Sequence, residues 1–290
     1  MRKRRFGDRY DGYRITKGDT LNVIIPFLMK ERNDSQVLFD AEIDLTRVDE
    51  QIKKKREEGY EIGVLDYVVA SIIRTISQYP RINRFVAGRR IFARNDLQIS
   101  MAVKKELNIN TEETIVKFKF EPNMTIYDIN KVLRQEIEVN KGEKTSNDME
   151  GVVKVLNHLP RPFFSFTINL LSWLDFHGKL PKLIHRVSPF HTSTFLTNMG
   201  SIGAEPIYHH IYNWGTTSLF IAMGNKKKIR TIDKDGNIKE KKIIKLRFVA
   251  DERIADGFYL SKSLKFFTGI FLKPELLDNP PEQVIEDDQI

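Results

Sequence analysis

Four ionisable side chains crowd one short segment: Asp251, Glu252, Arg253 and Asp256, with Gly257 directly after them. A carboxylate such as Glu252 can take a proton from a reacting group, and a guanidinium such as Arg253 can fix or recognise an anion. Further upstream, Thr197 and Asn198 bring a hydroxyl and an amide, and His209 and His210 bring two imidazoles. An imidazole can carry a proton near neutral pH. Neighbouring residues of a strand point to opposite faces, so the histidine pair does not read as a metal site, and no metal is expected. The chain has no cysteine, which removes thiol nucleophiles, disulfides and thiolate metal ligands. A charged turn is also a common solvated cap, so residue types alone leave a purely structural role open.

The flanking pattern shows what would hold the charged segment. Ile244, Leu246, Phe248 and Ala250 alternate with Lys245 and Arg247, the period of a half-buried strand. Beyond it, Leu260, Leu264 and Phe267 recur at helical spacing. Asp256 stands at the N-cap position, where its carboxylate can accept the first free N–H groups of that helix. A strand therefore runs into a tight charged loop and a helix leaves it, an arrangement in which a rigid strand aims loop side chains.

The rest of the chain alternates strands and helices. A helix is expected over 22–29, a strand over 36–45, a charged helix capped by Thr46 and a strongly apolar helix over 62–79 ended by Pro80. Strands follow over 89–92, 97–103 and 113–120, then an amphipathic helix over 124–139 and a polar link over 141–147. The stretch 149–190 is rich in large apolar residues; Phe163 to Phe176 is too short and too polar to span a bilayer. It reads as a buried helical hairpin, with an acyl-chain pocket or a membrane-surface contact through 163–176 as sharper readings. Strands are expected near Thr192–Gly203 and Ser218–Gly224. Two later runs flank Asp235-Gly236, a hairpin signal. Residues 1–19 form a basic arm dotted with tyrosines, either free or packed on a neighbouring subunit, and 276–290 form an acidic tail.

With 290 residues and a formal net charge of +8, the chain suits a folded domain that attracts anions. The basic residues are spread along the chain without a nucleic-acid-binding signature, so nucleic acid is not expected as a partner. No secretory signal follows Met1, and a cytoplasmic location is expected.

Three stretches together carry a resemblance. Asp251-Glu252-Arg253-Ile254-Ala255-Asp256-Gly257 resembles the Asp-His-Arg-x-x-Asp-Gly signature of dihydrolipoamide acyltransferase catalytic domains from 2-oxoacid dehydrogenase complexes. Chloramphenicol acetyltransferases share its His-x-x-x-Asp-Gly core. Tyr79-Pro80-Arg81-Ile82-Asn83 matches that family's Tyr-Pro-x-x-Asn element. The third stretch, Thr192 to Gly203, contains Phe195-Leu196-Thr197-Asn198-Met199-Gly200 and is similar to the family's Thr-Phe-Thr-Ile-(Ser/Thr)-Asn-Leu-Gly strand. The likeness spans roughly residues 20–275, with 149–190 as an atypical insert. Glu252 stands where the family has its catalytic histidine, and the family's Gly-Leu-x-x-Pro segment is missing.

The resemblance implies a single α/β domain of the chloramphenicol-acetyltransferase-like kind, a mixed sheet covered by helices, assembled as a homotrimer. It implies transfer of an acyl group between coenzyme A and an acceptor, with no lipoyl lysine in this chain. Glu252 would take the base position, Thr197 the oxyanion donor, and Asp256 the carboxylate that holds the site by ion pairing. Asn198, Arg253 and Gly257 would line the substrate. A free carboxylate holds its proton about four units more weakly than a thiol, so it needs help from its surroundings to act as base. Two readings stay open: a stand-alone acyltransferase, or a catalytically silent relative kept for binding or assembly. His209 and His210 are the reserve bases.

Overall fold

A six-stranded sheet carries both chemistry-bearing segments, in the order β2 (Gln36–Asp44), β9 (Ile238–Asp251), β8 (Leu219–Ile232), β7 (Thr194–Asn198), β5 (Leu97–Lys104) and β6 (Glu113–Phe120). The structure is a computed structural model that describes residues 3–18, 20–104, 113–141, 158, 160–232 and 235–290. The expected polar link falls almost wholly outside the described residues, as does the start of the 149–190 stretch. β7 runs parallel to β5 and β8, and the remaining pairs are antiparallel. A second sheet places β4 (Arg90–Arg94) between β1 (Gly12–Arg14) and β3 (Arg84–Ala87).

One face of the large sheet is the main core. Ile43, Ile99, Leu196, Ile221, Phe248 and Ala250 point into it and meet α3 (Val64–Gln78), α4 (Ile126–Lys141) and α7 (Gly257–Ile270). In α3 the apolar positions surround the helix, and Val68, Val69, Ile72 and Ile73 are all buried, as expected of a central core helix. Strand alternation sends Phe195, Phe220 and Val249 to the other face, where Ile211 and Phe190 cover them.

The expected elements are present with a few differences. The helix α2 (Thr46–Glu57) starts one residue earlier than a Thr46 cap requires: Leu45 is the cap residue, and Asp44 Oδ1 accepts from both Thr46 N and Thr46 Oγ1. A strand absent from the sequence reading, β3, follows the Tyr79–Asn83 segment and turns at Gly88 and Arg89 into β4. Part of the basic arm belongs to the fold. Gly12–Arg14 pair with β4 of the same chain.

The acidic tail is docked as well. Asp287 is buried and receives two hydrogen bonds from Arg84, both at 2.6 Å, while the Gln289 carbonyl accepts from Thr16 and Lys17 N–H at 3.0 Å. The apolar stretch departs most from expectation. Its helices α5 (Arg161–Phe176) and α6 (Lys182–Val187) are not a buried hairpin: Phe163, Phe166, Trp173 and Phe176 are exposed, and Asp175 is the one buried side chain of α5. No helix among the described residues is long and apolar enough to cross a membrane.

Candidate active site

β9 delivers the charged segment rigidly, because its last residues are bonded on both sides. Asp251 N donates to Ser218 O and Glu252 N to Ser35 O, each at 2.9 Å. Alternation then separates the acidic groups. Asp251 turns to the face of Val249, and Glu252 to the helix-covered face of Ala250 and Phe248.

Asp251 is fully buried and clamped. Its carboxylate accepts from Arg253 Nε at 2.8 Å and Nη2 at 2.7 Å, and Arg32 Nε lies 3.5 Å away. Arg253 Nη1 is taken by the Met29 carbonyl at 2.9 Å, and Arg32 donates to the carbonyls of Gly215 and Val86. Arg253, expected to line the substrate, has its guanidinium held by Asp251 and the Met29 carbonyl and borders a cavity shared with Arg32 and Asp175, away from Glu252. Burial pushes the Arg32 guanidinium down, against the pull of Asp251. The carboxylate that holds this loop by ion pairing is Asp251, not Asp256: the latter is exposed and caps α7, accepting from Tyr259 N at 2.8 Å.

The loop is also tied from outside. Arg84 Nη1 reaches the Ile254 carbonyl at 3.3 Å while the same guanidinium holds Asp287. Tyr79, of the Tyr-Pro-x-x-Asn element, packs its ring against Tyr259 and Phe266 of α7, and the Tyr259 hydroxyl accepts from Arg81 N. Two motifs that are far apart in sequence thus meet at one helix.

Glu252 is half-buried and opens onto a cavity of about 410 Å³ lined by Ile25, Met29, Val37, Phe39, Leu260 and Leu264, with Asp256, Gly257 and Ser261 on its wall. Gly257 needs no left-handed backbone, and a Cβ there would meet nothing within 4 Å.

Thr197 lies elsewhere in the same chain. It pairs with Ala222, which pairs with Arg247, so it stands five residues back along β9 from Glu252, about 16 Å at the usual strand rise. It also shares the face of Phe195, opposite to that of Glu252. One chain therefore does not bring Thr197 and Glu252 into a common channel. Asn198 shapes the turn after β7, its Oδ1 accepting from Ser201 N at 3.2 Å. Gly200 is required there, since a Cβ would come within 2.5 Å of the Gly224 carbonyl oxygen.

His209 is on the Thr197 side. Its ring stacks on Phe220 at 4.5 Å, its Nε2 is buried with no partner among the described residues, and burial next to His210 pushes its pKa down. His210 is exposed.

A second polar cluster escaped the sequence reading. Arg9 donates to Asp11 at 2.8 Å and to Asp175 at 2.8 Å, and His191 bridges Asp175 at 3.1 Å and Ser188 Oγ at 2.8 Å. Burial pushes His191 down to about 4 despite Asp175. Burial alone would raise Asp175, but the His191 hydrogen bond and the charge of Arg9 hold it at about 2. Lys117 donates to the carbonyls of His185 and Ser188, and burial beside Arg94 pushes it down to about 7. Serine, histidine and aspartate in a row suggest a nucleophilic triad, yet His191 is 0% and Ser188 6% exposed, so no reactant reaches them. The cluster fastens α5 and the loop after α6. Its one sequence signal was an aspartate in the last turn of an otherwise apolar helix.

Sheet order, the parallel β7 between β5 and β8, and the helix-covered face define the chloramphenicol-acetyltransferase-like fold. Solved structures with this fold include a probable dihydrolipoamide acetyltransferase from Listeria monocytogenes, with TM-score 0.53, 18% identity, and coverage of 89% of this chain and 95% of that one. A truncated catalytic core of the 2-oxoacid dehydrogenase multienzyme complex from Thermoplasma acidophilum gives 0.53, 14%, 90% and 98%. A chloramphenicol acetyltransferase gives 0.51, 10%, 88% and 96%. No family model and no curated protein matches the sequence.

Proposed function

We propose that the protein is an acyltransferase that moves an acyl group between coenzyme A and an acceptor, with its reaction centre between copies of the chain. Glu252 takes the proton of the attacking group, the nucleophile adds to the thioester carbonyl, and Thr197 of a neighbouring copy donates to the oxyanion. Collapse releases the coenzyme A thiolate, which recovers the proton from Glu252. Gly257 and Asn198 shape the two walls. Asp251 and Arg253 hold Glu252 in place from behind. A homotrimer in the cytoplasm is the proposed assembly.

The observation that carries this reading is Glu252 itself. It is aimed by a doubly bonded strand, flanked by two residues whose charges are paired with each other, and left facing a cavity. The experiment is an acyl-transfer assay on the parent, Glu252→Gln and Glu252→His. Loss of about 10²–10⁴ in rate for Glu252→Gln with unchanged folding supports a glutamate base. Activity gained only in Glu252→His identifies a silent relative with a preserved site.

A second reading has its own observation. His209 has a buried Nε2 with no partner among the described residues, on the face of Thr197, and burial beside His210 lowers its pKa. If Glu252→Gln keeps full rate while His209→Gln loses it, His209 is the base.

A further inference from the structure

The cavity beside Glu252 is polar at one end and aliphatic at the other. Asp256 and Gly257 stand at the start of α7 beside Glu252, while Leu264 lies two turns further along the same helix face. That separation is about 10 Å at the helical rise of α7. Carbon–carbon bonds of ordinary length cover it with an extended chain of roughly eight carbons. Val37 and Phe39 of β2 and Ile25 and Met29 from the α1 (Thr20–Leu28) end form the facing wall, all only partly buried. A separate, smaller void of about 40 Å³ is also lined by Phe39, Leu260 and Leu264, together with Ile72 and Phe267.

We infer that this cavity is the pocket for an unbranched aliphatic chain of medium length, so that the group handled at Glu252 is a medium-chain one rather than acetyl. The inference rests on the acyl-transfer reading for the identity of the head group, and on the cavity alone for the chain. Its volume falls within the range of small-molecule pockets. An acetyl group would leave most of the apolar wall without contacts, whereas a longer chain fills it.

The test is calorimetry on the full chain with coenzyme A and its acetyl, butanoyl, octanoyl and hexadecanoyl thioesters, and separately with 1-octanol, which has the chain without the nucleotide. Two filling variants from different elements, Leu264→Trp and Met29→Trp, accompany the parent. Affinity is expected to rise about fourfold per methylene up to octanoyl and then level off. 1-Octanol is expected to bind the parent and neither variant. If the chain sits on the acyl donor, 1-octanol competes with octanoyl-coenzyme A; if it sits on the acceptor, 1-octanol binds alongside acetyl-coenzyme A without a chain-length trend. Binding of coenzyme A with no chain-length trend and no 1-octanol binding overturns the pocket and leaves acyl transfer standing. Binding of 1-octanol, lost in both variants, with no coenzyme A species bound, keeps the pocket and overturns its assignment to acyl-coenzyme A.

Discussion

The Asp251 carboxylate and the Arg253 guanidinium, two residues apart, meet through two hydrogen bonds of 2.8 and 2.7 Å, with both residues buried. Glu252 projects from between them to the other side. Breaking one partner of such a buried pair leaves the other uncompensated, at a cost of about 3–5 kcal/mol. Asp251→Asn and Arg253→Met are each expected to lower the denaturant midpoint by a corresponding amount. The double variant should cost less than the sum, read in a double-mutant cycle. Equal, additive losses would show that the clamp is not one unit.

Separation of Thr197 from Glu252 makes a second outcome specific. Thr197→Ala and Glu252→Gln are each expected to be inactive alone. Mixed, unfolded together and refolded, they should recover activity, because some junctions then combine an intact Glu252 with an intact Thr197. Random mixing in a ring-like trimer gives about a quarter of the parental sites. No recovery on mixing would place the whole reaction within one chain.

Acid should loosen the cluster around His191. Its ring faces Asp175, Ser188 and His185, with Lys117 nearby. The folded pKa of His191, about 4, is below the ordinary 6.5, so the unfolded chain binds the extra proton first as pH falls. Stability is then lost between about pH 6.5 and 4, up to roughly 3 kcal/mol from this group. Asp175, held at about 2, adds loss of the same sign at still lower pH, below the ordinary carboxylate value. Thermal melting from pH 7 to 4 should show a falling midpoint, and His191→Gln should flatten that slope even though it lowers the midpoint at pH 7.

The exposed face of α5 predicts the opposite of a core. Phe163→Ser, Phe166→Ser and Trp173→Ser should each shift stability by no more than about 0.5 kcal/mol, as for other surface changes. If the face meets a lipid surface, Trp173 emission in a Trp214→Phe background should move to the blue on adding anionic vesicles. Unchanged emission would remove the membrane contact proposed for residues 163–176.

Much of the frame was legible in the sequence because its signals are local. Alternation from Ile244 to Ala250 announced β9, and Asp256 announced the start of α7 through cap chemistry. What remained hidden depends on partners distant in sequence. Arg253 looked like a ligand for substrate, but its guanidinium donors are taken by Asp251 and Met29. Asp256 and Asp251 are alike as letters; only the sheet decides which is buried and which caps a helix. The apolar composition of α5 signalled burial, and nothing in its own residues reveals that its aromatic side chains stay outside. Arg9, Asp175 and His191 carry no shared period, so their meeting is a product of the fold alone.

The way α5 is fastened has a consequence for how the chain can vary. Its grip on the domain is Asp175 with Arg9 and His191, together with the seat of the Phe176 carbonyl against Gly88, where any Cβ would collide. Among the described residues, the outward side of the helix carries no comparable constraint. Selection for folding therefore acts on the buried end of α5 and on its half-buried stripe of Phe164, Ile168, Leu171 and Leu174, while the outward aromatic stripe answers only to whatever it touches. Relatives that keep Gly88, Arg9, Asp175 and His191 are expected to exchange Phe163, Phe166 and Trp173 at little cost to the fold, so a stripe retained in them would record an outside contact rather than an inside one.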